Sequence, residues 1–341
     1  MHLIPLYFFW FLGAMSVQVS AVPKHYIESR QPLKVRFYYS ATVPTLPKTV
    51  HQLRIWIPIP SNSVHQSINS LSVRSESRYQ ITYDKRFGNR MIFLSIEHPK
   101  TPISVEVSWN VVREEARSCK SLLYKHPSYK NLLSSDRLVP VGGRYSRIAD
   151  AIIGGTKSQL KRAFKLFQQV STTLRYDYKE QSPELGRGDS AFMCDYKMGN
   201  CSDIHSYLIS LARSCGIPCL LTFGFPITGI PVSHPYPNNG MVTGYHCWVW
   251  MHTAEKGWIP VDAADARRWK DHNYPAIARY LFGRLVTARA AVAVSRGRDI
   301  ILQPPQHGGP LNYFIYPYAE ADGNSVPVTW KVRFDLEGVK G

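Results

Sequence analysis

Three residues in the middle of this 341-residue chain have the types and order that acyl-transfer chemistry needs: Cys201, His246 and Asp262. A thiolate can attack an acyl carbon while an imidazole relays the proton and a carboxylate fixes the imidazole's tautomer and orientation. Cys201 lies in Gly199-Asn200-Cys201-Ser202-Asp203, at the mouth of an apolar-periodic segment that runs to Arg213. Ile204, Leu208 and Leu211 recur at helical spacing, Asn200 or Ser202 supplies a cap, and Asp203 suits the positive end of the helix. Cys215-Gly216-Ile217-Pro218 is a stop of the expected kind. A cysteine at a helix start meets unpaired backbone N–H groups and the helix dipole, both of which favour thiolate over thiol. His246 opens an expected strand that runs to Met251, and Asp262 follows another from Trp258 to Val261. A helix start and two neighbouring strands could therefore converge on one site.

The elements that must hold this site begin with a long period-two region. Val35, Phe37, Tyr39, Ala41 and Val43 share one face, and Leu53, Ile55, Ile57 and Ile59 repeat the pattern. Met91–Ile96 is a short strand candidate, and Ile103, Val105, Val107, Trp109 and Val111 alternate most cleanly. Such runs between Pro- and Gly-marked turns predict an antiparallel β-sandwich over residues 22–115. A polar connector follows at 116–155, then a catalytic domain at 156–300. Leu160, Phe164, Phe167, Val170 and Leu174 mark an amphipathic helix capped by Thr156 or Ser158. Residues 176–197 read as irregular; the Arg187-Gly188-Asp189 they contain is taken as a chance occurrence of an adhesion tripeptide. Leu220–Gly224 is a strand and 226–244 a long loop, while 281–294 has mixed periodicity and is not assigned. Residues 301–341 form a C-terminal β segment, with strands at 312–318 and 326–334 around the turn Asp322-Gly323-Asn324.

Composition is ordinary for a globular protein, at 44% hydrophobic and 19% charged residues. The charge is less ordinary: 41 basic against 24 acidic residues leave +17, spread along the chain rather than in blocks. A diffuse excess suits anionic surfaces such as cell-envelope polymers. No nucleic-acid motif is present, so no nucleic acid is expected as a partner. The apolar run from Leu3 to Ala14 is too short to span a bilayer, and the small residues up to Ala21 fit a cleavage point. It reads as a secretory signal over 1–21, which places the mature chain outside the cytoplasm, secreted or periplasmic, with no transmembrane segment. The six cysteines, at 119, 194, 201, 215, 219 and 247, could pair there. Cys215 and Cys219 have neither zinc-ribbon nor redox spacing.

Four blocks, in this order, resemble the core of the transglutaminase-like superfamily: Gly199-Asn200-Cys201-Ser202-Asp203, Arg213-Ser214-Cys215-Gly216-Ile217-Pro218, His246-Cys247-Trp248 and Trp258-Ile259-Pro260-Val261-Asp262. The resemblance covers roughly 157–268. It implies an α+β fold, with a papain-like transglutaminase core preceded by the antiparallel β-sandwich and followed by the C-terminal β hairpin. By position it implies Cys201 as nucleophile, His246 as base and Asp262 as orienting acid. The Asn312–Pro317 block resembles a flanking part of secreted bacterial members. Where many members have Pro-Thr after the acid, this chain has Ala263-Ala264-Asp265, which leaves Asp265 as the alternative third member. No calcium-binding pattern is visible, so no cofactor and no metal are expected.

Other candidates read more simply. Strand alternation turns Cys247 away from His246, as a core residue. His205, one turn beyond Cys201, packs or hydrogen-bonds beside the site; a metal set of Cys201, Asp203 and His205 is disfavoured because helix residues two apart diverge. Trp248 and Trp258 are core or one wall of an acyl pocket. The Cys201 backbone N–H is the natural first oxyanion donor, and no motif marks a second. Three functions remain open: a peptide or amide hydrolase working through a Cys201 thioester, a cross-linking transferase with an amine acceptor, and a non-catalytic binding module. The expected substrate is a protein or peptide.

Overall fold

The computed structural model describes residues 32–122, 125–227, 239–285 and 292–337; the signal-like stretch at 1–21 lies outside them, as do 228–238 of the expected loop and 286–291. Six strands come first: β1 (Leu33–Val43), β2 (Gln52–Ile59), β3 (Gln66–Arg74), β4 (Gln80–Tyr83), β5 (Arg90–Glu97) and β6 (Ile103–Arg113). Helices α1 (Arg144–Ile153), α2 (Gln159–Thr173), α3 (Ser190–Tyr196) and α4 (Cys201–Ser214) follow. Then come β7 (Cys219–Phe225), β8 (Asn239–Val242), β9 (His246–Thr253), β10 (Gly257–Val261), α5 (Ala263–Asp271), α6 (Pro275–Tyr280) and β11 (Val292–Arg296). The chain closes with β12 (Tyr318–Ala321), β13 (Asn324–Val326) and β14 (Thr329–Leu336).

Two five-stranded antiparallel sheets, ordered β8-β14-β1-β6-β3 and β13-β12-β2-β5-β4, carry the period-two sequences. The alternating residues of β1 and β6 are buried as their spacing predicts, and Phe37 stacks on Trp109 directly across the ladder at 5.6 Å. A cross-strand aromatic pair of this kind is worth about 0.5–1 kcal/mol beyond its burial. The C-terminal segment differs from its expected form. The turn at Asp322-Gly323 joins β12 to the short β13, but Thr329–Leu336 leaves for the other sheet and pairs with β1. Residues 312–317 form no strand, and the Asn312 side chain is tied to Arg298 and to the Arg187 carbonyl.

A third sheet, ordered β10-β9-β7-β11, backs the helices. Its edge strand β11 is closed by two side-chain amides from the sandwich rather than by another strand. Gln66 exchanges hydrogen bonds of 2.9 and 2.8 Å with Ala293, and Asn89 exchanges two of 2.8 Å with Arg296. Such pairing satisfies edge donors and acceptors that would otherwise invite a foreign strand. Phe225, at the end of β7, meets Phe37 and Tyr39, so the sheet that holds His246 is packed into the sandwich core.

Helix α1 lies inside the stretch read as a connector. Tyr145, Ala149 and Ile153 form its buried stripe, and Gly142, Gly143 and Gly154 adopt the positive φ angles that bound it. The connector is also pinned to α4: Arg213 donates to Asp136 at 2.7 Å and to the Ser134 carbonyl at 2.7 Å. Helix α2 starts at Ser158, whose hydroxyl accepts from Lys161 N–H.

Candidate active site

Helix α4 is buried from Cys201 through Arg213, so its start is a fixed point rather than a surface feature. Asn200 is the cap. Its side chain accepts from Ser202 N–H at 3.0 Å, and Asp203 accepts from Asn200 N–H at 2.9 Å, which closes a reciprocal capping box. Asp203 also accepts from Gly186 N–H at 2.9 Å and Gly188 N–H at 2.7 Å. One carboxylate thus holds the helix start and the 186–188 loop together. At the other end, Ile217 N–H reaches Ala212 O at 2.9 Å and Gly216 N–H reaches Arg213 O at 3.1 Å, with Gly216 at φ +80°. That is a Schellman stop, which needs glycine in the left-handed position.

Cys201 is the first helical residue, and it is 3% exposed. His246, the first residue of β9, donates through Nε2–H to Asp262 Oδ2 at 2.6 Å. Asp262 is an ordered acceptor: as the cap of α5 it also takes Asp265 N–H at 2.8 Å. With Nε2 committed to the carboxylate, Nδ1 is the His246 nitrogen left for the Cys201 sulfur. Asp265 stands 3.5 Å from the same Nε2 and is shared with Arg268, so Asp262 is the closer partner of the imidazole. Burial opposes ionisation of Asp262, but the charge of His246 and its hydrogen bond hold the carboxyl well below the usual carboxylate range.

The Cys201 thiol is held well below the ordinary cysteine value. A hydrogen bond from the Cys247 thiol favours the thiolate most, burial opposes it, and the hydrogen bond and charge of His246 add to the lowering. Cys247 itself stays protonated, because burial and its bond to Cys201 push it up. Cys247 is fully buried in the core, as expected, and has polar neighbours there as well. It lies on β9, which packs against α4. There it meets His205, whose Nδ1 lies 3.3 Å from Cys247 Sγ. His205 Nε2 on the ring's other side lies 3.1 Å from Ala263 N and 3.4 Å from Asp262 Oδ1, so the ring bridges Cys247 and the Asp262 turn. Cys201, Asp203 and His205 face different partners and do not gather as metal ligands.

Among the described residues, His246, Asp262 and Asp265 are the His, Cys, Asp or Glu side chains close enough to share an ion. The 2.6 Å contact between His246 and Asp262 is a hydrogen bond and leaves no space for a cation between them. All six cysteines are free thiols. Trp248 packs as core beside Gly224, and Trp258 sits among His126, Tyr129 and His252. The Arg187-Gly188-Asp189 tripeptide has an internal use. Asp189 caps α3, and a Cβ on Gly188 would lie 2.0 Å from the Arg298 guanidinium. Arg298 is buried. It donates to Ser206 on α4, to Asn312 and to the Arg187 carbonyl, which ties the C-terminal segment to the helix that starts at Cys201. No spacing pattern in the sequence marks Arg298 or this use of Cys247.

The transglutaminase-like superfamily, described through its core domain, matches residues 146–263. A Haemophilus influenzae protein of uncharacterised function is 24% identical over 305 residues, spanning 80% of this chain and 82% of that one. A crystal structure of a candidate cysteine protease from Cytophaga hutchinsonii superimposes with a TM-score of 0.55 at 11% identity, covering 91% of this chain and 93% of that one. The periplasmic domain of TgpA from Pseudomonas aeruginosa aligns at 14% identity over 72% of this chain and 93% of its own, with a TM-score of 0.37. The helix that starts at Cys201 and the strand that starts at His246 both fall inside 146–263, the region that is similar to the transglutaminase-like core domain.

Proposed function

We propose that the protein is a thiol-dependent acyl-transfer enzyme acting on peptide or amide bonds through a thioester on Cys201. The observation that carries this reading is a cysteine that opens a buried, capped helix, in a site where His246 is anchored 2.6 Å from Asp262. The thiolate attacks the carbonyl carbon, and the Cys201 N–H faces the oxygen that becomes negative. Collapse breaks the C–N bond, and His246 delivers its proton to the leaving amine. Water or a second amine then attacks the thioester, His246 removes that nucleophile's proton, and the thiolate is released. Hydrolysis follows in the first case and cross-linking in the second. Ammonia release and amine incorporation from glutamine peptides, measured beside peptide-bond cleavage, separate the two. At least one is expected in the native chain and none in Cys201→Ala; equal readings from both proteins would overturn the reading.

We further propose that the chain works outside the cytoplasm against anionic envelope material. Support comes from the signal-like stretch at 1–21, the charge of +17 and a groove of about 620 Å³ on the outer face of the first sheet. Arg36, Arg74, Lys331 and Arg333 line it beside the single acid Glu106, and Arg333 lies 3.6 Å over the Tyr38 ring. No helix among the described residues is long and apolar enough to cross a membrane. Replacing Arg36, Lys331 and Arg333 by Ser is expected to lower binding to an isolated envelope fraction at least tenfold at low salt. Binding that is unaffected would remove the groove from the account.

A further inference from the structure

Beside Cys201 runs a wall of rings that the triad does not use. Tyr245 OH lies 2.8 Å from Ser202 Oγ, on the residue next to the nucleophile. Its ring meets Tyr313 at 5.5 Å and Tyr316 at 6.0 Å, and Tyr316 stacks on Trp330 at 4.5 Å and 19°. All four residues are half-buried, and Phe223 backs the Tyr245 and Tyr313 rings at 5.6 and 5.2 Å. Burial raises the pKa of the Tyr245, Tyr313 and Tyr316 phenols, and charge on Cys201 raises each of them further, which places the rings within the field of that sulfur.

The polar side chains of Ser202 and Asn312 beside the wall are already engaged. Ser202 bonds to Gly186 O, Asn200 and Tyr245, while Asn312 is held by Arg298 and the Arg187 carbonyl. What the wall offers a ligand is ring surface rather than charge or free amides. A saccharide, whose hydroxyls need such groups, fits it less well than an aromatic side chain. Tyr313, Tyr316 and Trp330 lie beyond the 146–263 match, on the segment that closes the sandwich.

Resting on the reading of Cys201 as nucleophile, we infer that Tyr245, Tyr313, Tyr316 and Trp330 form a subsite for an aromatic side chain of the peptide substrate, next to the bond that Cys201 attacks. Offset and edge contacts with such a ring are worth about 0.5–1.5 kcal/mol each, so two of them give roughly tenfold or more.

Alkylation of Cys201 in the full chain tests this, using iodoacetamide and its N-benzyl, N-cyclohexylmethyl and N-glycosyl derivatives. Each rate is divided by that of the same reagent with glutathione. The benzyl reagent is expected to exceed iodoacetamide at least tenfold on this scale, and to exceed the cyclohexylmethyl reagent. The benzyl advantage should collapse towards one in Tyr316→Ala and in Trp330→Ala, and shrink in Tyr316→Leu, which keeps the side-chain volume should either alanine variant fold poorly. Equal scaled rates for benzyl and iodoacetamide in the native chain would overturn the inference. So would preference for the glycosyl reagent, or an undiminished benzyl advantage in the variants. Native Cys201 that resists iodoacetamide itself at neutral pH would instead overturn the nucleophile reading beneath it.

Discussion

His246→Ala is expected to slow labelling of Cys201 by iodoacetamide near pH 6 at least tenfold and to reduce any acyl-transfer turnover by about 10³-fold or more. The thiolate is the reactive form, and it exists only above the thiol's pKa. In the native chain that value is well below the ordinary one, so labelling should persist into mildly acidic solution and fall away as pH drops through it. Removing the imidazole removes a hydrogen bond and a positive charge, while burial still disfavours the thiolate and the Cys247 hydrogen bond still favours it. The labelling midpoint should then rise towards the free-cysteine value of about 8.5. Cys247→Ala tests the second donor. A hydrogen bond to a charged group is worth about 1.5–3 kcal/mol, so its loss should slow labelling at pH 6 by roughly tenfold or more. Asp262→Ala should weaken labelling less than His246→Ala, because it frees the ring without removing it. A rate-against-pH profile for each variant is the measurement. A native profile that rises only above about pH 8 would leave no working Cys201–His246 pair.

Much of this site is legible in the chain because its signals are local. The cap at Asn200, the acid at Asp203, the apolar spacing from Ile204 to Leu211 and the Gly216 stop each lie within a few residues of what they determine. The same is true of His246 at a strand start and of Asp262 between a strand and a helix. What escapes sequence reading depends on which faces meet. Cys247 follows the alternation rule, yet both faces of β9 are buried, and the rule does not say which face receives α4. Arg298 has no local pattern; its meaning comes from Ser206 and Arg187, 92 and 111 residues away. The C-terminal strands are likewise recognisable as strands, but Phe334 opposite Phe37 is a pairing that periodicity cannot assign. The amphipathic stripe of α1 is local and readable, although the glycines and prolines around it favour a connector reading.

Asp203→Ala is expected to lower unfolding free energy by about 2–4 kcal/mol while leaving every member of the triad in the sequence. The buried carboxylate accepts from Gly186, Gly188 and Asn200 N–H groups, at 2.9, 2.7 and 2.9 Å. Leaving a buried donor without a partner costs about 1–3 kcal/mol, so three would cost more than the figure above. Two effects reduce the loss. Burial already raises the Asp203 pKa against the lowering by those same N–H groups, so removing the carboxylate recovers some desolvation cost. Water can also enter the space and bond to some of the freed groups. Asp203→Asn should not restore stability, since its amide N–H₂ would face backbone N–H donors. Denaturant melts of both variants against the native chain give the numbers, and a change below about 1 kcal/mol in either would contradict this account of the cap. The same variants should slow Cys201 labelling, because the 186–188 loop and the helix start would no longer share an anchor. Cys201→Ala makes the contrast: it removes the nucleophile but no part of the cap, so its stability should stay near the native value while its activity is lost.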